Sequence, residues 1–175
     1  MFLNSGDVLL SPVYLEKALE KIPEYDFIHS NIIYDDHFVG RRVMKPALCS
    51  LGRGMPYFHQ SMIVKRHLFR EIGGFNLEYK IAMDYDFVVR MEKRGVKDFY
   101  FQDEPTILMD GKGVSFTQEE KGIAECKRSL ISHGLYDFNN QLSLTQRFTF
   151  YKGRMLLSKV GLLGVVKMIK KLKSS

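Results

Sequence analysis

Ile81-Ala82-Met83-Asp84-Tyr85-Asp86-Phe87-Val88-Val89-Arg90-Met91-Glu92-Lys93-Arg94-Gly95 reads as a helix that opens on two carboxylates. Asp84 suits the N-cap, Asp86 and Arg90 stand one turn apart as an i,i+4 pair, and Phe87, Val88 and Met91 supply a buried face. A helix is therefore expected over 84–93, closed by Gly95 after Arg94. A carboxylate at such a position has a second use, because within hydrogen-bond reach of an attacking hydroxyl it can take the proton. Asp84 is a candidate base as well as a candidate cap.

Working outward, residues 66–72 form a short helix stopped by Gly73-Gly74, and 75–83 an extended link into the helix above. Residues 60–64 are a short strand, and 26–34, rich in β-branched and aromatic residues, a longer one. Between them, 40–57 contain Gly40, Pro46, Gly52, Gly54 and Pro56 without sustained periodicity and read as a long loop. At the front, Phe2-Leu3 is the end of a buried strand passing into the turn Asn4-Ser5-Gly6-Asp7. Ser11 caps a helix with Pro12 at its first position, Val13, Leu15, Leu19 and Ile22 as its apolar contacts, and Pro23 as its stop. Downstream come two strands near 98–102 and 106–109, a polar helix over 117–133, and a largely helical segment over 145–172 with a break at Gly153 or Gly161.

The chain has 175 residues, 45% hydrophobic and 26% charged, with 13 Phe, 9 Tyr and no Trp, enough for one packed core. The two cysteines, Cys49 and Cys126, lie far apart without metal-ligand spacing, which argues against a disulfide framework or a zinc site and for a reducing cytoplasm. The N-terminus has no secretory pattern. The net charge of +6 is local: 138–175 hold eight Lys/Arg and no Asp/Glu, while the other 137 residues carry 18 basic against 20 acidic side chains. A basic tail on a slightly acidic body, without a recognition motif, excludes a nucleic-acid-binding domain and favours attraction to a phosphate-bearing surface.

Three other residues could carry chemistry. Asp7, just past a strand end, is placed as a hard oxygen ligand to a divalent cation, or as a turn residue bonded to its own backbone. His59, beside the Gly/Pro-rich loop, could contact a phosphate or sugar hydroxyl, or be structural. Lys112, in Gly111-Lys112-Gly113-Val114-Ser115, could reach a diphosphate or be a solvated loop lysine; the segment is too short for a P-loop.

Taken in order, the turn at Asn4-Ser5-Gly6-Asp7, the block from His59 to Phe69, Gly73-Gly74-Phe75, the segment 81–90 and Gly113-Val114-Ser115 resemble the C-terminal, acceptor-side part of family-2 glycosyltransferases with the GT-A fold. The resemblance covers residues 1–116 and is most specific in its middle block. It implies an α/β, GT-A-like partial fold of the nucleotide-diphospho-sugar transferase type, a mixed sheet with flanking helices and a helical C-terminal tail. It divides the chain into that half-domain over 1–137 and a basic tail over 138–175. It further implies inverting sugar transfer from a nucleotide-diphospho-sugar donor to a glycan or lipid-linked acceptor, in cell-surface polysaccharide biosynthesis. Asp84 matches the catalytic base, Asp7 the ligand of Mg²⁺ or Mn²⁺ on the donor diphosphate, and Asp86 and Arg90, with His59, the supporting acceptor side. Many members are acidic where this chain has Asn4 and Gly6, so the metal site leans on Asp7 alone. In the family a nucleotide-binding half precedes the acidic motif at which this chain starts, and the chain alone is expected to bind donor poorly.

In the tail, Leu156, Leu157, Leu162, Val165, Met168, Ile169 and Leu172 favour one side of a helix and Lys159, Lys167, Lys170 and Lys171 the other. Such a helix over 155–172 either lies in an anionic membrane interface at the inner face of the membrane or packs on the core; it is too charged to span a bilayer. The competing function is an inactive remnant or membrane-surface interaction module.

Overall fold

The computed structural model describes residues 1–36, 40–96, 98–111, 113, 117–160 and 164. Among them are five strands, β1 (Val8–Leu9), β2 (Phe27–Asp36), β3 (Gly40–Met44), β4 (Ile63–Val64) and β5 (Phe99–Asp110). Five helices accompany them: α1 (Val13–Lys21), α2 (Arg66–Ile72), α3 (Met83–Lys93), α4 (Glu119–Ser132) and α5 (Phe138–Lys159). The strands form one mixed sheet in the order β1-β5-β2-β3, with β4 on the free edge of β2 near its start. β2 and β5 run parallel, and the other pairings are antiparallel. The α/β class expected from the sequence is what the chain adopts.

Helices cover both faces. Phe27 of β2 packs with Val88, Val89 and Met91 of α3, Leu68 and Ile72 of α2, Ile123 and Leu130 of α4 and Leu144 of α5. Ile28, one residue on and so on the opposite face, packs with Tyr14 and Ala18 of α1. The main core thus lies between the sheet and α2–α5.

Several local expectations are corrected. Phe2-Leu3 is not a buried strand end: Phe2 is 50% exposed, and its ring rests on Phe69 and Phe75. The short strand follows the turn instead, as β1 paired to β5. In α1 the buried face is Tyr14 and Ala18, while Val13, Leu15 and Leu19 are exposed, because the Tyr14 hydroxyl donates to the buried Ser61 carbonyl and sets the helix rotation. Pro12 is the boundary residue of that helix, and Ser11 Oγ accepts the Val13 N–H at 3.3 Å. Part of the expected loop 40–57 is strand β3, paired with the end of β2. His59–Ser61 is a 3-10 turn ahead of the two-residue β4, and 75–82 is irregular with a turn at 77–78 rather than extended chain.

The two strands expected near 98–102 and 106–109 are one. Pro105, which cannot donate to the ladder, sits in β5 opposite Asn31, where the register shifts. Side chains hold this irregularity: Asn31 Nδ2 donates to the Asp103 carboxylate at 3.0 Å, and the Ser30 and Thr106 hydroxyls meet at 2.6 Å. α5 starts at Phe138, earlier than expected, with Asp137 accepting the Asn140 N–H at 2.7 Å, and it runs through Gly153 without a break. Gly161 lies outside the described residues.

Candidate functional site

The carboxyl ends of the parallel pair carry Tyr34 on β2 and Met109 and Asp110 on β5, followed by Gly111. In α/β sheets this is where ligands bind, since strand ends there leave loops rather than side-chain packing. A cleft of about 600 Å³ opens at this point, lined by Asn4, Asp7, Tyr34, His59, Lys80, Asp84, Asp110, Gly111, Glu119 and Arg147 among others. The structure therefore brings together Asp7, His59 and Asp84, three of the residues singled out from the sequence.

Asp7 is held by the turn that contains it. Its N–H donates to the Asn4 carbonyl at 3.1 Å, and its carboxylate accepts the N–H groups of Asn4 and Asp110, each at 3.2 Å. Gly6, at φ 95°, lets the chain turn, and a Cβ there would meet Asp110 Oδ2 at 3.2 Å. Two carboxylates, Asp7 and Asp110, thus share one end of the sheet. Each Asp7 oxygen keeps a lone pair beyond its N–H partner. That fits a divalent ion whose other ligands are phosphate oxygens and water; among the described residues no group of three or more His, Cys, Asp or Glu could hold a metal by protein ligands alone.

Asp84 stands in the first turn of α3, not at its cap, which is Ala82. One carboxylate oxygen accepts the Tyr85 N–H at 2.8 Å, and the other lies 2.7 Å from His59 Nδ1. Burial pushes this carboxyl up, but the hydrogen bond and attraction of the His59 ring and the N–H groups of Tyr85 and Asp84 itself outweigh it. The group is held below the usual carboxylate range. His59 comes from the 3-10 turn before β4, and its Nε2 lies 3.2 Å from Asn4 Nδ2. Asn4, His59 and Asp84 therefore form a chain of contacts along the cleft wall.

A residue the sequence did not single out holds α3 in place. Glu125 of α4 accepts the N–H groups of Lys80, Ile81 and Ala82 at 2.8 to 3.1 Å, ahead of the first turn of α3. Burial raises its carboxyl, and the Ile81, Ala82 and Lys80 N–H groups with the charge of Lys121 more than offset that, leaving it below its ordinary value. The close approach is possible because Gly122 faces Ile81, where a Cβ would meet Cγ2 at 3.2 Å.

Asp86 and Arg90 do not reach the cleft. Asp86 is 0% exposed, and its carboxylate accepts Arg90 Nε at 2.9 Å and Ser129 Oγ at 2.7 Å, with His133 Nε2 at 3.0 Å. Arg90 also donates to the carbonyls of Ile72 and Gly74, each at 2.6 Å. The pair ties α3 to α4 and to the turn after α2, so any support it gives the site is through the position of α3. Lys112 lies outside the described residues.

A second, apolar cavity of about 200 Å³ adjoins the cleft. Phe2, Phe69, Phe75, Phe87 and Val88 line it, and Phe2, His59, Phe75 and Asp84 are common to both spaces. In the tail, Met155, Leu156 and Val160 are exposed, and 161–163 and 165–172 lie outside the described residues. No helix among the described residues is long and apolar enough to cross a membrane. Compared with protein-family models, curated proteins and solved structures, the chain matches none.

Proposed function

We propose that the protein is a GT-A-like, family-2-type inverting glycosyltransferase, moving a sugar from a nucleotide diphosphate to the hydroxyl of a glycan or lipid-linked acceptor. The observation that carries this reading is the meeting of Asp7 and the Asp84–His59 pair in one cleft at the carboxyl ends of the parallel strands. The order of the motifs along the chain agrees with it.

In this reading the acceptor hydroxyl lies against the Asp84–His59 pair, which removes its proton as the oxygen attacks the anomeric carbon from the face opposite the diphosphate. The adjoining apolar cavity takes the non-sugar part of the acceptor. Lys80 and Arg147 place positive charge on the same cleft, where negative charge grows on the departing diphosphate. Asp7, with Asp110 beside it, would hold a Mg²⁺ or Mn²⁺ ion, which when bound supplies further charge neutralisation for the leaving group. Lys112, which follows Gly111 in the sequence, is proposed as a further contact to the diphosphate.

Backbone-amide NMR tests the donor side even when binding is weak. Titration with a nucleoside diphosphate and Mg²⁺ is expected to shift Asp7, Asp110, Gly111 and the 81–84 segment, and Asp7→Asn to weaken the response about tenfold, near 1.4 kcal/mol. Shifts confined to other surfaces, or none at saturating ligand, would remove the diphosphate from the reading.

A further inference from the structure

Resting on the transfer reading above, we propose that the proton-accepting atom is Nε2 of His59, with Asp84 as the group that orients and charges-balances the ring instead of touching the acceptor. The hydrogen-bond chemistry determines the ring's state. An ionised carboxylate can only accept, so the 2.7 Å contact of Asp84 Oδ2 requires the proton on Nδ1. A neutral imidazole then presents a lone pair at Nε2, and the group facing it at 3.2 Å is an amide nitrogen, Asn4 Nδ2, a donor. Both contacts agree on one tautomer, with the basic atom turned to the cleft side, where Asn4 lies.

Both Asp84 oxygens already carry a partner, each keeping one further lone pair. One oxygen is taken by the Tyr85 N–H and the other by the His59 ring. Asn4 is an exposed residue of the irregular N-terminal segment, and its amide occupies the place where an acceptor hydroxyl would donate. Replacing one donor by the other leaves the Nε2 lone pair satisfied. Among the described residues, the remaining charged groups on the two cavities are Asp7, Asp110 and Glu119 against Lys80, Arg66, Arg147 and the amino group of Met1.

The step balances without a further reactant. The acceptor O–H proton passes to Nε2, and the oxygen forms its bond to the anomeric carbon. The bond from that carbon to the diphosphate oxygen breaks, its electron pair leaving with the diphosphate. The imidazolium, held against the Asp84 carboxylate, returns its proton to water once products depart.

The experiment has two arms on the full chain. ¹⁵N NMR of the ring should find the Nδ1–H tautomer in the wild type and its loss in Asp84→Asn; an Nε2–H tautomer in the wild type overturns the proposal whether or not any donor turns over. In acceptor-dependent transfer, His59→Gln should lose about 10²- to 10⁴-fold in kcat with donor KM unchanged. Added imidazole should restore His59→Gly and leave Asp84→Asn unrestored. A His59→Gln variant within about tenfold of wild type returns the base to Asp84 and overturns the proposal. Silence with every donor, in the chain itself and with a donor-binding half joined to it, contradicts the transfer reading, and the ring tautomer still decides the pairing.

Discussion

At the scale of single residues, Glu125 holds the entry to α3. Its carboxylate satisfies three backbone N–H groups that no helical carbonyl reaches, and those groups precede the turn bearing Asp84. Glu125→Ala is expected to lower the unfolding free energy by about 3 kcal/mol, measured in urea, because one buried and two part-buried N–H groups lose their acceptor. Glu125→Gln adds a pH test. The folded carboxyl is depressed below its 4.5 reference, so the charge stabilises above that pH and the contribution fades as pH falls through the folded value. The difference between wild type and Glu125→Gln should therefore be full at neutral pH and shrink in acid; a difference independent of pH would contradict the assignment. Asp7, His59 and Asp84 were legible in the sequence because turn position and helix start are local properties. Glu125 was not, since a carboxylate in a polar helix looks solvated until the 80–82 backbone, 43 to 45 residues away, is brought to it. Asp86 and Arg90 were legible as a pair, while their turning away from the cleft depended on Ser129, His133 and the carbonyls of Ile72 and Gly74.

Among elements, the docking of α5 on the 3-10 turn Leu51–Arg53 decides whether the C-terminal helix begins as part of the body. Asn140 Oδ1 accepts the Gly52 N–H at 2.8 Å and Asn140 Nδ2 donates to the Leu135 carbonyl at 2.8 Å, so one amide joins three segments. Gly52 is there for space: a Cβ would come within 2.2 Å of the Asn140 carbonyl oxygen. Gly52→Ala should destabilise by about 1 to 3 kcal/mol by prising the helix from the turn, while a change under about 0.5 kcal/mol would show the contact to be loose. The sequence pattern had the start of this helix too late, because Phe138 and Leu142 are exposed and break the apolar period before Leu144 enters the core. Residues 103–105, between the two expected strands, are strand because Ser30 and Asn31 of β2 hold Thr106 and Asp103 across the register shift.

For the molecule as a whole, the central strand carries an ionisable ring into the main core. His29 is 1% exposed among Phe27, Tyr57, Phe99 and Phe101, and neither ring nitrogen has a hydrogen-bond partner among the described residues. Burial depresses it from 6.5 to about 4. The unfolded chain takes up this proton first, so stability present above about pH 6.5 is lost as pH falls toward 4, by about 3 kcal/mol in all. His29→Phe should flatten that window in urea-unfolding series, and an unchanged slope would place the effect elsewhere. The mixed sheet around β2 is also what sets the cleft: a parallel β2–β5 pair ends side by side, and the turn at Asp7 and the start of α3 meet there. The central claim is sugar transfer at that cleft. The most direct measurement is acceptor-dependent release of nucleoside diphosphate across a panel of sugar nucleotides with Mn²⁺. It compares wild type with Asp84→Asn, in the chain itself and in a chimaera with a family-2 donor-binding half joined ahead of Met1. Release with at least one donor, lost by about a hundredfold or more in Asp84→Asn, is the predicted result; silence with every donor in both forms, or an Asp84→Asn variant as fast as wild type, would contradict it.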